Sequence, residues 1–164
     1  MPQLVRGSSG DGWAQGSVGN VALLLFQTGV PEVAVDRSVE LLDRLIAANS
    51  SGIVIIADFE ETARLPPTQI MRSLSSQLAR RAARIVVGTT VLEGTSASSM
   101  AKRTAVAMMT TVLKPPYPHR VLGTVDAACA YVVSKAVDDE GAALGLGALV
   151  EALTALKAPR STGL

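Results

Sequence analysis

The chain has 164 residues, of which 48% are hydrophobic and 18% are charged, and its formal net charge is +1. This length and apolar content suit one domain with a real core and exclude disorder for most of the chain. The small net charge gives no general attraction to nucleic acid or membranes, and no apolar run reaches the roughly 20 residues of a transmembrane segment. The single cysteine excludes an internal disulfide framework and is typical of a reducing, cytoplasmic compartment.

The first fifty residues predict a flexible tail, two strands and a helix. Residues 1–10 are rich in Gly and Ser and are expected to form a loose tail. A short strand is expected over 12–15, and the continuous apolar run at 21–27 predicts a buried strand. Apolar residues recur every three or four positions across 32–48, opposite a charged face, which predicts an amphipathic helix.

The middle of the chain repeats the alternation of strand and helix. Apolar segments at 53–57 and 85–91 predict two further buried strands. Two prolines precede a predicted helix with Thr68 as its N-cap, and another helix is expected over about 94–113. The residues expected to be almost fully buried in the three main strands are Leu24, Val54, Ile56 and Val86.

One short strand and two more helices are predicted after the proline-rich stop at 115–118. The strand covers 120–123, and the helices cover about 126–137 and 142–157. Residues 158–164 are expected to form a second tail.

The order of these elements predicts an α/β fold, with a mostly parallel or mixed sheet of four to five strands and helices packed on it. Neither a repeat nor a linker interrupts the pattern, so residues 11–157 are expected to form a single domain. Ligands usually bind at the carboxyl edge of such a sheet. The acidic residues at that edge are interpreted as a solvated loop: Asp58, Glu60 and Glu61.

A Gly turn and several hydroxyl residues open the helix predicted over 94–113. Free N–H groups at a helix start bind anions. Two cations near this start oppose the helix dipole, which a bound anion would offset. A well-capped helix with two surface cations gives the same pattern, so both interpretations stay open. The residues of this candidate anion or ligand site are Thr95, Ser96, Ser98, Ser99, Lys102 and Arg103.

No combination of residues predicts catalysis, a metal or a cofactor. Cys129, in an Ala-rich helix, predicts a packed core thiol, and His119 predicts a partly exposed loop position. The arginines of the middle helix lack interleaved aromatic residues, so nucleic-acid binding is not expected. These arginines are interpreted as a solvated helix face: Arg72, Arg80, Arg81 and Arg84.

The last predicted helix is apolar enough to require a partner surface. Glu151 and Lys157 are its only ionised side chains. Its stripe packs either on its own domain or on a second copy or another protein, in a possible homodimer or partner complex. The stripe residues that form the candidate partner-binding surface are Leu146, Leu149, Val150 and Leu153.

Three segments in the second half of the chain resemble STAS-like domains, which are similar to bacterial anti-sigma-factor antagonists. They are Val91-Leu92-Glu93-Gly94, then Lys102-Arg103, then the run PPYPHRVLGTVDAA at 115–128. The predicted element order from Val21 onward is also similar to that family, in particular to its small stand-alone bacterial members.

The resemblance implies a non-enzymatic regulatory or scaffolding module that binds a protein partner. The alternative that it leaves open is a small-anion, nucleotide or lipid-binding domain using the helix start at 95–103 and the loop at 115–119. Some members of the family are switched by phosphorylation in an Asp-Ser-Ser-Gly motif. That motif is absent here, and the matching position is Thr68.

Overall fold

The computed structural model describes residues 3–159, with the side chains of 109 and 111–113 excepted. Its strands are β1 (Val5–Gly10), β2 (Trp13–Val18), β3 (Val21–Phe26), β4 (Ile53–Phe59), β5 (Ile85–Leu92) and β6 (His119–Leu122). Its helices are α1 (Glu32–Ala48), α2 (Thr68–Arg80), α3 (Ala97–Leu113), α4 (Val125–Val132) and α5 (Leu146–Lys157). The predicted α/β class is confirmed, and the mixed sheet has six strands where four to five were predicted.

The six strands lie in the sheet in chain order. β1, β2 and β3 form antiparallel pairs, and β3, β4, β5 and β6 run parallel. Each parallel strand is added on the same side of the one before it, and right-handed crossovers then place every connecting helix on one face. Accordingly α1, α2 and α3 pack on one face of the sheet, and α4 and α5 cover the other.

The central strands are buried on both faces, which explains their continuous apolar runs. Leu24, Val54 and Ile56 are at most 4% exposed, as predicted. The prediction for Val86 was wrong, because this side chain is only half-buried. The ladder between β4 and β5 shifts register there, since Ile53 pairs with Ile85 but Val54 pairs with Val87. Such a bulge leaves the extra residue out of the regular alternation.

The N-terminal tail predicted over 1–10 was wrong for residues 5–10, which form β1 at the sheet edge. Asp11 and Gly12 make the two-residue turn into β2, and Gly12 has the positive φ of 73° that such turns need. An edge strand buries little, so its sequence carries no apolar pattern. In the predicted C-terminal tail, residues 158 and 159 lack regular structure, and 160–164 lie outside the described residues.

The connection between α4 and α5 differs from the prediction. α4 ends at Val132 and continues only as a short 3-10 turn, where a helix to 137 was expected. α5 begins at Leu146 instead of 142, because Val137 and Ala143 form a β-bridge and Asp138 Oδ1 accepts two backbone hydrogen bonds from the turn. A carboxylate that bonds nearby N–H groups competes with helix formation.

Candidate functional site

An apolar cavity of about 190 Å³ lies between the sheet and the helices of the α1–α3 face. Its floor is formed by β3, β4 and β5, and its walls by α2, α3 and the segment that leads into β6. None of the described residues that line it is Asp, Glu, Lys or Arg. The apolar side chains that contribute include Leu24, Phe26, Ile55, Phe59, Leu74 and Leu78.

The cavity exists because α2 does not pack fully against the sheet. None of the described side chains of α2 is fully buried, although Ile70, Leu74 and Leu78 pack partly against the core. Ala57, a small residue on the floor, adds little volume below the helix. The cavity is partly open to solvent, since Ala79 and Pro116 in its lining are exposed.

Tyr117 and His119 form one end of the cavity. Their rings meet edge to face, with centroids 6.3 Å apart. A Cβ at Gly88 would lie 3.0 Å from the Tyr117 ring and 3.3 Å from that of His119, so the missing side chain lets both rings approach β5. His119 is partly exposed, as predicted, but it is the first residue of β6 where a loop was expected.

His119 lines the cavity and has an unsatisfied polar atom. Its Nε2 lies 3.1 Å from Thr90 Oγ1. Its Nδ1 is buried and has no hydrogen-bond partner among the described residues. Burial lowers the pKa of His119 and raises the pKa of Tyr117 to about 12, so both rings are neutral near pH 7.

The polar start of α3, where an anion site was predicted, is bonded to the chain itself. Ser96 is the N-cap, and its Oγ accepts a hydrogen bond from the backbone N–H of Ser99 at 3.1 Å. The buried Ser99 hydroxyl donates to Glu61 Oε1 at 3.3 Å, so a carboxylate already lies at this helix start. Thr95 and Ser98 are exposed.

The two cations of the predicted anion site are also engaged. Lys102 Nζ lies 3.3 Å and 3.0 Å from the carbonyl oxygens of Glu61 and Ala63. Arg103 Nη1 donates to the carbonyl oxygens of Leu92 and Gly94 at 2.9 Å and 2.7 Å. These bonds join the loops at the carboxyl edge of the sheet, and the arrangement favours a structural role over anion binding.

The N-terminus of α2 differs from the prediction. Its N-cap is Pro67, not Thr68, and no side chain caps it. Proline has a fixed φ that leads into a helix without a capping side chain, so Thr68 is already the first helical residue. The Thr68 side chain is exposed, and its role as a phosphorylation site stays a prediction.

The arginines near the end of α2 were interpreted as a solvated face, and two of them are not. Arg81 forms a two-pronged ion pair with Asp43 of α1, at 2.6 Å and 2.8 Å. Arg84 donates to the carbonyl oxygens of Ile46 and Asn49 at the end of α1. Carbonyl groups at a helix C-terminus attract cations. These contacts fix one end of α2 while its middle stays over the cavity.

The apolar stripe of α5 packs on its own domain, which was one of the two predicted alternatives. Leu149 and Leu153 are completely buried against the sheet and α4, and Val150 is half-buried. The stripe is therefore covered at Leu149 and Leu153, whereas Leu146 is 43% exposed, and partner binding through the remaining residues stays a prediction. Within residues 3–159, no helix combines the length and apolar character needed to cross a bilayer.

A buried charged cluster that the sequence did not predict holds the end of α5. Asp58, expected on a solvated loop, lies in β4 and is completely buried on the α4–α5 face. Lys157 Nζ lies 3.0 Å from its Oδ2 and also pairs with Glu93. Burial first, and then the Glu93 carboxyl, raise the pKa of Asp58 to about 7 despite the opposing effect of Lys157. The cluster connects α5 to the ends of two central strands.

Cys129 lies on α4 near this cluster and is completely buried, as predicted for a core thiol. Burial, followed by the charges of Asp126 and Asp58, raises its pKa to about 11. A thiol of that pKa is protonated and unreactive at neutral pH. Cys129 is therefore a packing residue.

The fold and site define a small α/β domain with a mixed six-stranded sheet and an apolar cavity on the face that carries the crossover helices. Comparison with protein-family models, with curated proteins and with solved structures found no match to this chain.

Proposed function

We propose that this protein is a small non-catalytic binding module that holds an apolar small molecule between its sheet and α2. The observation that carries the proposal is the cavity of about 190 Å³ with its uncharged lining. An engineered apolar cavity of about 150 Å³ stays dry and binds benzene. A cavity somewhat larger than that accepts a molecule built around one six-membered ring, or a short aliphatic chain.

The size of the cavity also limits the affinity. A ring the size of a phenylalanine side chain buries roughly 200 Å². At about 25 cal/mol per Å², this burial contributes about 5 kcal/mol before the cost of association. The free energy of binding for a single ring therefore corresponds to a dissociation constant no tighter than about 0.2 mM. Test compounds belong in the millimolar range.

We also propose that ligand binding is regulatory, and this part of the proposal rests on α2. Its apolar residues Ile70, Leu74 and Leu78 are only partly buried, so a ligand below them would supply missing contacts and stabilise the helix. α2 also begins at the exposed Thr68. A ligand that orders α2 changes the surface that this helix offers to a protein. The resemblance to STAS-like regulatory domains supports this interpretation.

The experiment is a thermal denaturation series with toluene, on the wild type and on Ala57→Leu. Ala57 lies on the cavity floor, and a leucine there fills the space. We expect toluene to raise the melting temperature of the wild type by mass action and to leave that of the filled variant unchanged. An unchanged wild type, or equal shifts in both proteins, would contradict the proposal.

A second candidate function, binding of a protein partner, is favoured by the outer surface of α3. Met100 and Met108 are 59% and 65% exposed, and no ionisable residue occurs from Thr104 to Leu113. The three alanines between them, Ala101, Ala105 and Ala107, are exposed as well. Methionine-rich surfaces adapt readily to different partners.

This second candidate is tested by replacing both methionines with glutamate and capturing partners from cells that express the protein. Val33→Glu is the matched control, because Val33 is an equally apolar, 50% exposed residue on α1. The candidate requires a partner that is captured by the wild type and by the Val33 variant but is lost with the double variant. Capture that is unaffected by the double variant would contradict it.

A further inference from the structure

One residue of the cavity lining has a buried hydrogen-bonding atom without a partner among the described residues. His119 lines the cavity, and its Nδ1 is buried with no partner among the described residues. A buried polar atom left unsatisfied costs roughly 1–3 kcal/mol. Such a cost at a cavity wall is removed when a bound molecule supplies the missing partner.

The lack of charged side chains among the described lining residues restricts the chemical class of the bound molecule. No Lys or Arg is among the described residues that line the cavity. His119 has a pKa below its ordinary value because burial disfavours the charged ring, so it supplies no cation at neutral pH. A carboxylate placed there would be a buried charge without a counter-ion, which is strongly unfavourable. The chemistry therefore favours an uncharged polar group.

Thr90 restricts the polar group further. Thr90 Oγ1 lies 3.1 Å from His119 Nε2, and a hydroxyl either donates to that nitrogen or accepts from it. If Thr90 donates to Nε2, Nδ1 carries the ring proton and donates a hydrogen bond. If Thr90 accepts from Nε2, Nδ1 is unprotonated and accepts a hydrogen bond. A hydroxyl group on the ligand matches both states, since it donates and accepts, whereas an ether or ketone matches only one.

We propose that the cavity selects a neutral, ring-sized apolar molecule that carries one hydroxyl group, and that this hydroxyl forms a hydrogen bond with His119 Nδ1. This inference rests on the proposed function, because it concerns the ligand of the same cavity. The apolar body fills the space under α2, and the hydroxyl satisfies the buried nitrogen.

The test compares three probes that share a methyl-substituted benzene ring: toluene, p-cresol and 4-methylbenzoate. Each is titrated against the full chain at pH 7, in the wild type and in His119→Phe. Phenylalanine keeps a ring at this position but removes Nδ1. In the wild type we expect p-cresol to bind at least as tightly as toluene, and 4-methylbenzoate not to bind. In the variant the cresol hydroxyl loses its partner, so the affinity ratio of cresol to toluene falls about tenfold.

A second variant, His119→Asn, keeps the test decisive if the phenylalanine variant does not fold. Its side-chain amide both donates and accepts, so it retains the preference for cresol. The inference is overturned if the ratio is the same in wild type and His119→Phe, or if 4-methylbenzoate binds most tightly, while toluene binding still supports the proposed function. If no probe binds to the wild type, both the proposed function and this inference fail.

Discussion

Helices α2 and α5, which lie on opposite faces of the sheet, are packed very differently. On the α4–α5 face, Leu149, Leu153 and Val132 are completely buried, and ion pairs from Lys157 secure the end of α5. On the opposite face, α2 has no fully buried side chain and covers a cavity of about 190 Å³. Both helices meet the same apolar sheet, so the difference comes from the helices themselves and from small strand residues such as Ala57.

This contrast separates the parts of the domain that stabilise it from the part available for function. A face packed to normal interior density loses stability with any change in volume. A face with a cavity has already lost those contacts, and a ligand restores them. Binding sites are commonly drawn from the less stable parts of a protein. The contrast therefore predicts that substitutions on the two faces have unequal effects.

The largest expected effect is the cost of truncating a leucine on the packed face. Leu153→Ala should lower the free energy of unfolding by about 3–5 kcal/mol, because it opens a cavity in a closed core. Leu74→Ala, the matched change in α2, should cost about 1 kcal/mol, since Leu74 is only partly buried beside an existing cavity. Urea denaturation of both variants measures the two costs. Equal costs would show that the faces do not differ as described.

The next effect is the pH dependence of the cluster at the end of α5. The pKa of Asp58 is raised from an ordinary value of 3.8 to about 7, so the folded state prefers the neutral carboxyl. The contribution of the protonated Asp58 carboxyl to the free energy of unfolding is fully present below about pH 4. This contribution is lost as the pH rises through about 7. Asp58→Asn lacks this dependence, so its advantage over the wild type should grow across that range, by at most about 4 kcal/mol.

The measurement for this cluster is the difference in unfolding free energy between wild type and variant at several pH values, with Lys157 and Glu93 unchanged in both. Glu151→Gln serves as the control, because Glu151 is an exposed acid on α5. Its difference from the wild type should stay small across the same range. A flat difference between Asp58→Asn and the wild type would mean that the pKa of this carboxyl is the same in the folded and unfolded states.

The smallest expected effect is a gain of stability from filling the cavity. Ala57→Leu adds apolar groups next to existing space, and we expect the free energy of unfolding to rise by about 1 kcal/mol. Ala22→Leu is the matched control, since Ala22 lies in the same core but is completely buried away from the cavity. Overpacking there should cost about 1–3 kcal/mol. Chemical denaturation gives the sign of the change in the free energy of unfolding for each variant. If both variants are destabilised, the cavity does not accommodate a larger side chain at Ala57.

Local patterns were enough to predict the main elements. The apolar runs of β3, β4 and β5 and the period of α1 are properties of short segments, so their bounds were predicted to within about two residues. β1 was missed because an edge strand has no apolar pattern, although the Asp11–Gly12 pair signals a hairpin turn. The missed end of α4 and late start of α5 depend on a side-chain bond from Asp138, which composition does not reveal.

The candidate site was much less predictable. The sequence predicted no cavity; it named the loop at 115–119, which lines the cavity, but it placed the candidate binding residues at the start of α3. There, Lys102 and Arg103 bond to backbone carbonyls of neighbouring loops, which are distant in sequence. Whether the Lys102 and Arg103 side chains are free to bind an anion therefore depends on where these neighbouring loops lie in the fold.

By itself, the sequence determined the alternation of strands and helices, the buried strands at the centre of the sheet and the need of α5 for a covering surface, since each follows from residue size and periodicity. Only the tertiary structure decided that α5 is covered by its own domain, that Asp58 is buried and paired with Lys157, and that His119 lies at the wall of a cavity. A cavity is the space left between elements that are far apart in the chain. Its existence depends on the distance between α2 and the strand residues Ala57 and Gly88, and no local sequence pattern determines that distance.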